Sequence, residues 1–395
     1  MVRILELKNS AEIVEALKLI EVDEVGIGMM APKAHHYVLK IDSLSVPAAN
    51  ILKQEMLAVG GDAALHRKAC DFSIQNTPCL LMGTYHQYQK VIKKLQVQPF
   101  GLKATGKEMQ NVLRHFFSTP SSIQAGPYLL DFSSPLVMGI LNVTPDSFSG
   151  DGIVNNIELL LKKADQFIKD GADLLDIGGE STRPGAVKIP AEEELKRVLP
   201  VIKEVSRNFS VPISIDTYKP EVAEKALKNG AHIVNDVWGL KKEPGMLRII
   251  KEYGAPVILM HNQEEPVYRD LIREMLEYFK DRLTMLENSH YPTEKAILDP
   301  GIGFGKKPWH NLSVLKHLNE FRIFGRALLL GASRKSFIQY AAGADVNNRI
   351  PGSLASVVLG YMSGFHIFRV HDVKESKQAL NLVKAVKRAN QHGQN

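Results

Sequence analysis

Residues 170–179 read DGADLLDIGG, and this stretch shows the pattern that decides the fold. A glycine ends one helix, a short aliphatic run follows within two residues, and that run ends in a polar residue. The same step returns at 229–237 (NGAHIVNDV), 253–260 (YGAPVILM) and 363–370 (SGFHIFRV). Glycine readily adopts the left-handed conformation that stops a helix, and loops from a helix to the next strand are short. The pattern therefore predicts repeated βα units from about residue 135 onward.

Eight short aliphatic runs are predicted to be strands, and they are continuous, as is typical of parallel strands buried on both faces. They are Leu136–Leu141, Leu174–Ile177, Ile213–Ile215, Ile233–Val234, Val257–Met260, Ala296–Leu298, Ala327–Leu330 and His366–Val370. The segments between them carry one apolar stripe at helical spacing. Eight such units within residues 126–395 predict a (β/α)₈ TIM barrel. A doubly wound sheet is the alternative, but it would carry GxGxxG after its first strand, where residues 142–152 read NVTPDSFSGDG.

Residues 1–125 do not show the repeated βα pattern. They contain helix-like stretches at Glu12–Ile20 and Ala48–Val59 and an aliphatic run at Cys79–Met82. We predict a smaller N-terminal α/β domain over residues 1–125, whose role the sequence does not indicate. The segment 118–127, STPSSIQAGP, is the predicted linker to the barrel.

The composition excludes several classes of protein. The chain has 395 residues, of which 45% are hydrophobic and 23% charged, values typical of a globular protein. No apolar run approaches the roughly 18 residues that span a bilayer, so no membrane association is expected. Cys70 and Cys79 are the only cysteines, and the first residues lack the apolar core of a secretion signal, which predicts a cytoplasmic protein. The net charge of +6 comes without a dense Lys/Arg block, which favours anionic substrates over nucleic acid.

Polar side chains follow nearly every predicted strand, at the end where barrels of this class carry their active sites. They are Asn142, Asp176 with Glu180, Asp216, Asn235 with Asp236, His261 with Asn262, Asp299, Ser333 to Lys335, and Arg369 with His371. Taken alone, each is more readily explained as a loop cap. As a set they predict one shared site. The cations after strands seven and eight suit a phosphate, and the acids and amide after strands three, four and six suit a ring rich in N–H groups.

Seven motifs, in order along residues 126–395, resemble the dihydropteroate synthase family. They are MGILNVTPDSFSG (138–150), DIGGESTRPGA (176–186), SIDTYKPEVA (214–223), NDVWG (235–239), DPGIGFGK (299–306), GASRKSFI (331–338) and RVHDV (369–373). The resemblance implies a barrel that joins 6-hydroxymethyl-7,8-dihydropterin diphosphate to 4-aminobenzoate, giving 7,8-dihydropteroate and pyrophosphate. It also implies Mg²⁺ as the cofactor, these small molecules as the partners, and a homodimer.

The resemblance also implies a role for individual residues. The pterin would be held by Asp216, Asn235, Asp299 and Lys335. The diphosphate would be held by Arg369 and His371, and Asn142 would bind both Mg²⁺ and the diphosphate. Thr182, Arg183 and Pro184 would lie on a loop that covers 4-aminobenzoate, Ser336 would meet the carboxylate of that substrate, and Phe148 would lie on a second covering loop. The expected catalytic residues are Asp216, Lys335, Arg369 and His371.

Two departures and two rival functions accompany this resemblance. Residues 147–152 read SFSGDG where the family usually has SFSDGG, so Asp151 is the candidate for the displaced aspartate, and Lys307 stands where a hydroxyl residue is common. A pterin-binding methyltransferase domain is one rival, but it would not need the anion-binding motifs SRK (333–335) and RVH (369–371). A non-catalytic pterin-binding regulator is the other, and it would be expected to keep the acids that bind the ring and to lose these two motifs. A further hypothesis gives the N-terminal domain a role in recruiting a partner enzyme.

Overall fold

The computed structural model describes residues 1–7, 9–118, 120–143, 153–181, 187–345 and 348–389, and for residues 153–156 only the backbone. The chain divides into two compact units, Met1–Arg114 and His115–Asn395. Among the described residues, no helix combines the length and apolar character needed to cross a membrane.

The first unit is a small α/β domain, as the sequence predicts. Its strands β1 (His36–Ser45), β2 (Asp62–Leu65) and β3 (Asn76–Thr84) form an antiparallel sheet in the order β1-β3-β2. Its helices are α1 (Ser10–Leu19), α2 (Glu24–Met30), α3 (Val46–Ala58), α4 (Tyr85–Leu95) and α5 (Leu102–Phe117), the last of which runs on past residue 114. Thr84 and Gln87 form a reciprocal capping box that starts α4 directly at the end of β3.

The second unit begins earlier in the chain than the sequence places it, and residues 118–127 are not simply a linker. They contain β4 (Ser122–Ala125), which pairs with β5 (Tyr128–Asp131) as an antiparallel hairpin. Ile123, Ala125 and Leu130 of this hairpin join the apolar cluster of the barrel strands. The hairpin belongs to the barrel because it buries these side chains there, which a strand assignment made one segment at a time does not reveal.

Eight parallel strands of the second unit close into a barrel, so the predicted fold class is confirmed. The strands are β6 (Leu136–Asn142), β7 (Leu174–Gly178), β8 (Ile213–Asp216), β9 (Ile233–Asp236), β10 (Val257–Met260), β11 (Ala296–Asp299), β12 (Ala327–Leu330) and β13 (Ile367–Val370). The helices are α6 (Ile153–Lys169), α7 (Ala191–Asn208), α8 (Pro220–Lys228), α9 (Gly245–Glu252), α10 (Leu271–Asn288), α11 (Pro308–Lys316), α12 (Ser336–Ala342), α13 (Ile350–Met362) and α14 (Val373–Arg388).

The glycines of the repeated step do what the pattern predicts. Gly171, Gly230, Gly254 and Gly364 all have positive φ angles, 97°, 111°, 57° and 89°. Each follows a helix and precedes a barrel strand by a few residues. Glycine adopts this left-handed conformation without the steric cost of a Cβ atom, so the four turns can be short.

The strands place apolar and polar residues in separate layers of the barrel. On four strands, a residue of the inner apolar cluster is followed two positions later by a polar residue of the candidate site. These pairs are Leu174 and Asp176, Ile233 and Asn235, Ile297 and Asp299, and Ile367 and Arg369. Residues two apart on a strand face the same side. The apolar layer therefore forms a floor, and the polar layer above it opens at the carboxyl ends of the strands.

Candidate active site

The centre of the site is the guanidinium of Arg369, at the end of β13. Its Nε donates to Oδ2 of Asp176 at 2.6 Å, and its Nη2 donates to Oδ2 of Asp216 at 2.7 Å. Both carboxylates are buried, and the side chain of Arg369 is 18% exposed. Burial alone would lower the pKa of Arg369, yet the two carboxylates raise it, so the group is a fixed cation.

Asp216, at the end of β8, is a buried carboxylate with one oxygen unused. Its Oδ2 accepts from Arg369, but among the described residues its buried Oδ1 has no hydrogen-bond partner. Burial raises the pKa of Asp216 to about 7, against the lowering effect of Arg369 and with the help of the neighbouring charge of Asp176. The Asp176 charge adds to the effect of burial, because one guanidinium shared by two carboxylates leaves the group negative overall. Buried polar atoms normally have partners, so Oδ1 is positioned for a donor from a ligand.

Asn235 and Asp236 end β9 and have different functions. The Nδ2 of Asn235 lies 3.3 and 3.4 Å from the two carboxylate oxygens of Asp176, which joins it to the Arg369 network. Asp236 instead accepts hydrogen bonds from the backbone amides of Trp238 and Leu240, at 2.8 and 2.9 Å. Neighbouring strand residues point to opposite faces, so only Asn235 belongs to the polar layer. Asp236 holds the loop that follows.

Asp299 and Lys335 form the next part of the site, across the glycine-rich turn that follows β11. Asp299 is buried and accepts from the amide of Gly301 at 2.8 Å, and burial raises its pKa. The Lys335 ammonium donates to the carbonyl of Ile302 and lies 4.2 Å from the centre of the Phe304 ring. Burial lowers the pKa of Lys335 to about 7, opposed by the attraction of Asp299. Lys335 therefore changes charge near neutral pH.

The glycines of the turn after β11 allow Lys335 and the end of β10 to lie close to the backbone of that turn. A Cβ atom at Gly303 would lie 2.7 Å from Cδ of Lys335, and one at Gly301 would lie 2.1 Å from the carbonyl oxygen of His261. Both glycines have positive φ angles. Lys306 then fastens the turn to the end of β10, because its ammonium donates to Nδ1 of His261 at 2.9 Å. The motif DPGIGFGK thus shapes the backbone around Lys335.

His371, two residues beyond Arg369, is not the cation that the sequence suggests. Burial lowers its pKa to about 4, with further lowering by Arg369 and Arg334, so the ring is neutral at pH 7. Its Nδ1 and its backbone amide both lie 3.2 Å from Oγ of Ser333. Arg334 also differs from the expectation, because its guanidinium is paired with Asp372. Of the expected basic corner, Lys335 and Arg369 therefore supply the charge, and His371 supplies a hydrogen-bonding ring.

The remaining predicted residues lie around this centre or outside the described part. Asn142 ends β6 and pairs in register with Gly178 of β7, at the same end of the barrel. Ser336 is the first residue of α12 and is exposed. Thr182, Arg183 and Pro184 on one loop, and Phe148 and Asp151 on the other, lie outside the described residues.

A second buried charge cluster, formed by Lys219, Glu180 and Glu194, lies near Asp216. Of these three residues, the sequence analysis singled out only Glu180. The ammonium of Lys219 donates to Glu180 and to Glu194, at 2.6 Å in both cases. Glu180 also accepts from the hydroxyl of Tyr218 at 3.2 Å and from the amide of Ile189 at 3.3 Å. Glu180 thus links Ile189 to Tyr218 and Lys219, which follow strand β8 and Asp216.

Comparison with known proteins agrees with this geometry. A family model described as pterin binding enzyme matches residues 138–371. Dihydropteroate synthase of Escherichia coli (strain K12) is 48% identical over 263 residues, covering 65% of this chain and 93% of that protein. A crystal structure of dihydropteroate synthase from Clostridium difficile, in the presence of pteroic acid, is 44% identical with a TM-score of 0.63, covering 68% of this chain and all of that one.

One relative extends over the first unit as well. A probable bifunctional folylpolyglutamate synthase/dihydropteroate synthase of Halobacterium salinarum is 35% identical over 387 residues, which is 94% of this chain and 46% of that protein. The family model itself covers more than half of the chain and spans every strand-end residue of the Arg369 network. The chain therefore belongs to the pterin binding enzyme family.

Proposed function

We infer that the barrel condenses 6-hydroxymethyl-7,8-dihydropterin diphosphate with 4-aminobenzoate and releases 7,8-dihydropteroate and pyrophosphate. The observation that carries this conclusion is the buried, unpartnered Oδ1 of Asp216 beside the Arg369 cation. A carboxylate oxygen in this position accepts a ring N–H, and the cation beside it attracts an anion. The relative from Clostridium difficile supports the assignment, because pteroic acid contains both a pterin and a 4-aminobenzoate.

The pterin ring is bound by the polar layer in this proposal. Asp216 and Asp299 accept from the N–H groups of the ring, and the side-chain amide of Asn235 offers both a donor and an acceptor. Asp176 does not need to touch the ring. It orients Arg369 and Asn235 through the hydrogen bonds at 2.6 and 3.3–3.4 Å, so it is a positioning residue.

The diphosphate leaves when its developing charge is stabilised. Arg369 and Lys335 supply the positive charge, and His371 donates a hydrogen bond as a neutral ring. An anionic substrate favours the protonated form of Lys335, so binding raises the pKa of this group. The carbon–oxygen bond to the diphosphate breaks with both electrons on the leaving oxygen. The resulting pterin-methyl cation lies near the carboxylate of Asp216, which stabilises it.

The amine of 4-aminobenzoate then attacks this carbon. An aromatic amine is neutral at pH 7 and carries its own lone pair, so the step requires no strong base. Its proton is lost after the carbon–nitrogen bond has formed. Thr182 and Arg183 on the covering loop, and Ser336 at the start of α12, are the proposed contacts of this substrate, and their roles stay predictions.

Magnesium is part of the proposal through Asn142. The described residues include no group of three or more His, Cys, Asp or Glu side chains that could hold a metal ion. Mg²⁺ commonly takes one or two protein oxygens and completes its shell with substrate phosphates and water. The amide oxygen of Asn142 is a ligand of this kind, at the barrel end where the cations lie. When bound, Mg²⁺ would neutralise charge on the diphosphate oxygens.

A homodimer is also proposed, and apolar side chains on the last two helices support it. Leu359 and Met362 on α13 and Leu382 and Val386 on α14 are about half to two-thirds exposed. An exposed apolar surface of this kind commonly marks an interface. Light scattering coupled to size exclusion tests it, with Leu382→Glu expected to shift a dimer toward monomer. The cytoplasmic location stays a prediction.

A coupled assay for pyrophosphate release tests the proposed reaction directly. We expect release that requires both the pterin diphosphate and 4-aminobenzoate. A methyltransferase domain or a non-catalytic regulator would bind the pterin without releasing pyrophosphate, and that outcome would overturn the assignment. Comparing the full chain with residues 115–395 in the same assay shows whether the first unit contributes to turnover.

A further inference from the structure

A cavity of about 210 Å³ lies at the end of the barrel where the strands begin, opposite the candidate active site. Three of its lining residues directly precede barrel strands: Pro135 before β6, Arg326 before β12 and His366 before β13. The candidate active site lies at the carboxyl ends of the same three strands. The cavity is therefore separated from Arg369 and Asn142 by the length of a strand and by the apolar floor.

The lining of this cavity is basic. Arg322, Arg326 and Lys387 line it, and none of the described lining residues is acidic. Two more cations reach the same wall, because Lys384 donates to Oγ of Ser134 at 2.6 Å and Arg388 donates to the carbonyl of Ser133 at 3.3 Å. Several cations around a small volume repel one another unless an anion lies between them.

Helix ends explain part of this charge. Lys387 and Arg388 lie in the last turn of α14, and cations at a helix carboxyl end are favoured by the helix dipole. Arg326 lies between Gly325 and β12, where burial lowers its pKa and the charges of Glu294 and Glu287, outside the cavity lining, raise it. Its Nη2 donates to Oγ1 of Thr293 at 2.9 Å, but its buried Nε has no hydrogen-bond partner among the described residues. A buried donor without a partner is rare in a folded protein and indicates a missing acceptor.

The aromatic side chains that line the cavity form what we call the aromatic wall. They are Phe132, Tyr361 and Phe365, together with the ring of His366, whose centre lies 5.2 Å from that of Phe132. The wall adjoins the cations, because the Lys387 ammonium lies 4.5 Å from the centre of the Tyr361 ring. Nδ1 of His366 accepts from the amide of Leu328 at 3.0 Å. Burial lowers the pKa of His366 to about 4, with further lowering by Arg322 and Lys387, so the ring is neutral at pH 7 and its proton lies on Nε2. The cavity thus combines cations, a ring N–H donor and aromatic faces.

We propose that this cavity binds a small phosphorylated ring compound, with the phosphoryl group on Arg326, Arg322 and Lys387 and the ring on the aromatic wall. Guanidinium groups match phosphoryl oxygens in geometry, and a dianion balances more than one cation. The volume is below the roughly 300–1,000 Å³ of sites for drug-sized ligands, which limits the occupant to about one ring with one phosphoryl group. Free inorganic phosphate shares the charge but not the ring contact.

Calorimetric titration of the full chain with phenyl phosphate and with inorganic phosphate tests this proposal. We expect phenyl phosphate to bind about tenfold more tightly, because only it contacts the aromatic wall. Arg326→Gln and Lys387→Gln should each weaken binding by about tenfold or more, through loss of a charge-assisted hydrogen bond. Lys374→Gln, a charge change at the other end of the same helix α14, is the matched control and should bind as the wild type does.

Variants of the candidate active site show at which end of the barrel phenyl phosphate binds. Arg369→Ala, once circular dichroism shows that it is folded, should retain binding of phenyl phosphate, and so should Lys335→Gln, which removes the other cation of the candidate active site. Loss of binding in either folded variant would assign the ligand to the active site and overturn the proposal. Unchanged affinity in Lys387→Gln, or affinity equal for the two probes, would also overturn it. If Arg326→Gln does not fold, Lys387→Gln decides the question, because Lys387 is an exposed residue of α14.

Discussion

Replacing Arg369 by methionine tests the network on which the proposed function depends. Methionine keeps much of the side-chain volume and removes both hydrogen bonds, at 2.6 and 2.7 Å, to Asp176 and Asp216. A charge-assisted hydrogen bond contributes about 1.5–3 kcal/mol, and removing one side of a buried ion pair costs about 3–5 kcal/mol because the remaining charge is unpaired. We therefore expect the free energy of unfolding to fall by about 3–5 kcal/mol, and turnover to fall about 10²-fold or more.

The loss should depend on pH, and the sign follows from Asp216. Its pKa is about 7 in the folded protein, against an ordinary value of 3.8 that applies to the unfolded chain. Between these two values the folded state binds a proton that the unfolded chain releases. Arg369 lowers the folded-state pKa, so its removal raises that pKa above 7. The destabilisation is then larger at pH 9 than at pH 6.5, by at most about 1.4 kcal/mol for each unit of the added shift.

Urea unfolding followed by tryptophan fluorescence measures this in the barrel alone, because both tryptophans, Trp238 and Trp309, lie in the second unit. The double variant Asp216→Asn with Arg369→Met is the control, and its stability should vary less with pH because the titrating carboxyl is gone. A loss below about 1 kcal/mol, or the same loss at pH 6.5 and pH 9, would refute a buried ion-pair network centred on Arg369.

Three further predictions concern neighbouring residues. Asp216→Asn should weaken pterin binding and slow the chemical step by about 10²-fold, and an unchanged rate in single-turnover quench experiments would contradict its role. Because the pKa of Lys335 is lowered to about 7, the wild-type kcat/KM for the diphosphate substrate should fall as pH rises above 7, whereas Lys335→Arg should keep its rate to higher pH. Lys219→Met leaves Glu180 and Glu194 without their cation and should cost about 3–5 kcal/mol of stability by urea unfolding, with Lys219→Arg losing much less.

The exposed basic residues give no comparable predictions, because their ion pairs lie in water. Lys162 with Glu158 and Lys225 with Glu221 are i,i+4 pairs on α6 and α8 whose side chains are about half exposed or more. Pairs of this kind contribute a few tenths of a kcal/mol. These surface pairs therefore carry no prediction of a large loss of stability.

Local sequence was sufficient to predict the barrel. The continuous aliphatic runs, the glycine before each of several strands and the polar residue at each strand end are patterns within about ten residues, and all eight predicted strands are present. These patterns can be recognised locally, because a parallel strand that is to be buried on both faces needs an unbroken aliphatic run, and a short turn after a helix needs a glycine. The seven motifs added the family, which the comparisons confirm.

The partners of the charged side chains were decided only by the tertiary structure. Arg369 and Asp176 are 193 positions apart in the chain, and closure of the barrel brings them to 2.6 Å. The sequence analysis placed Arg334 and His371 among the cations of a phosphate site. In the folded chain, Arg334 pairs with Asp372, and burial lowers the pKa of His371 so that its ring is neutral at pH 7. Residue type sets which charges a chain can carry, whereas burial and the nearest opposite charge set which of them are present, and both of these depend on the folded chain.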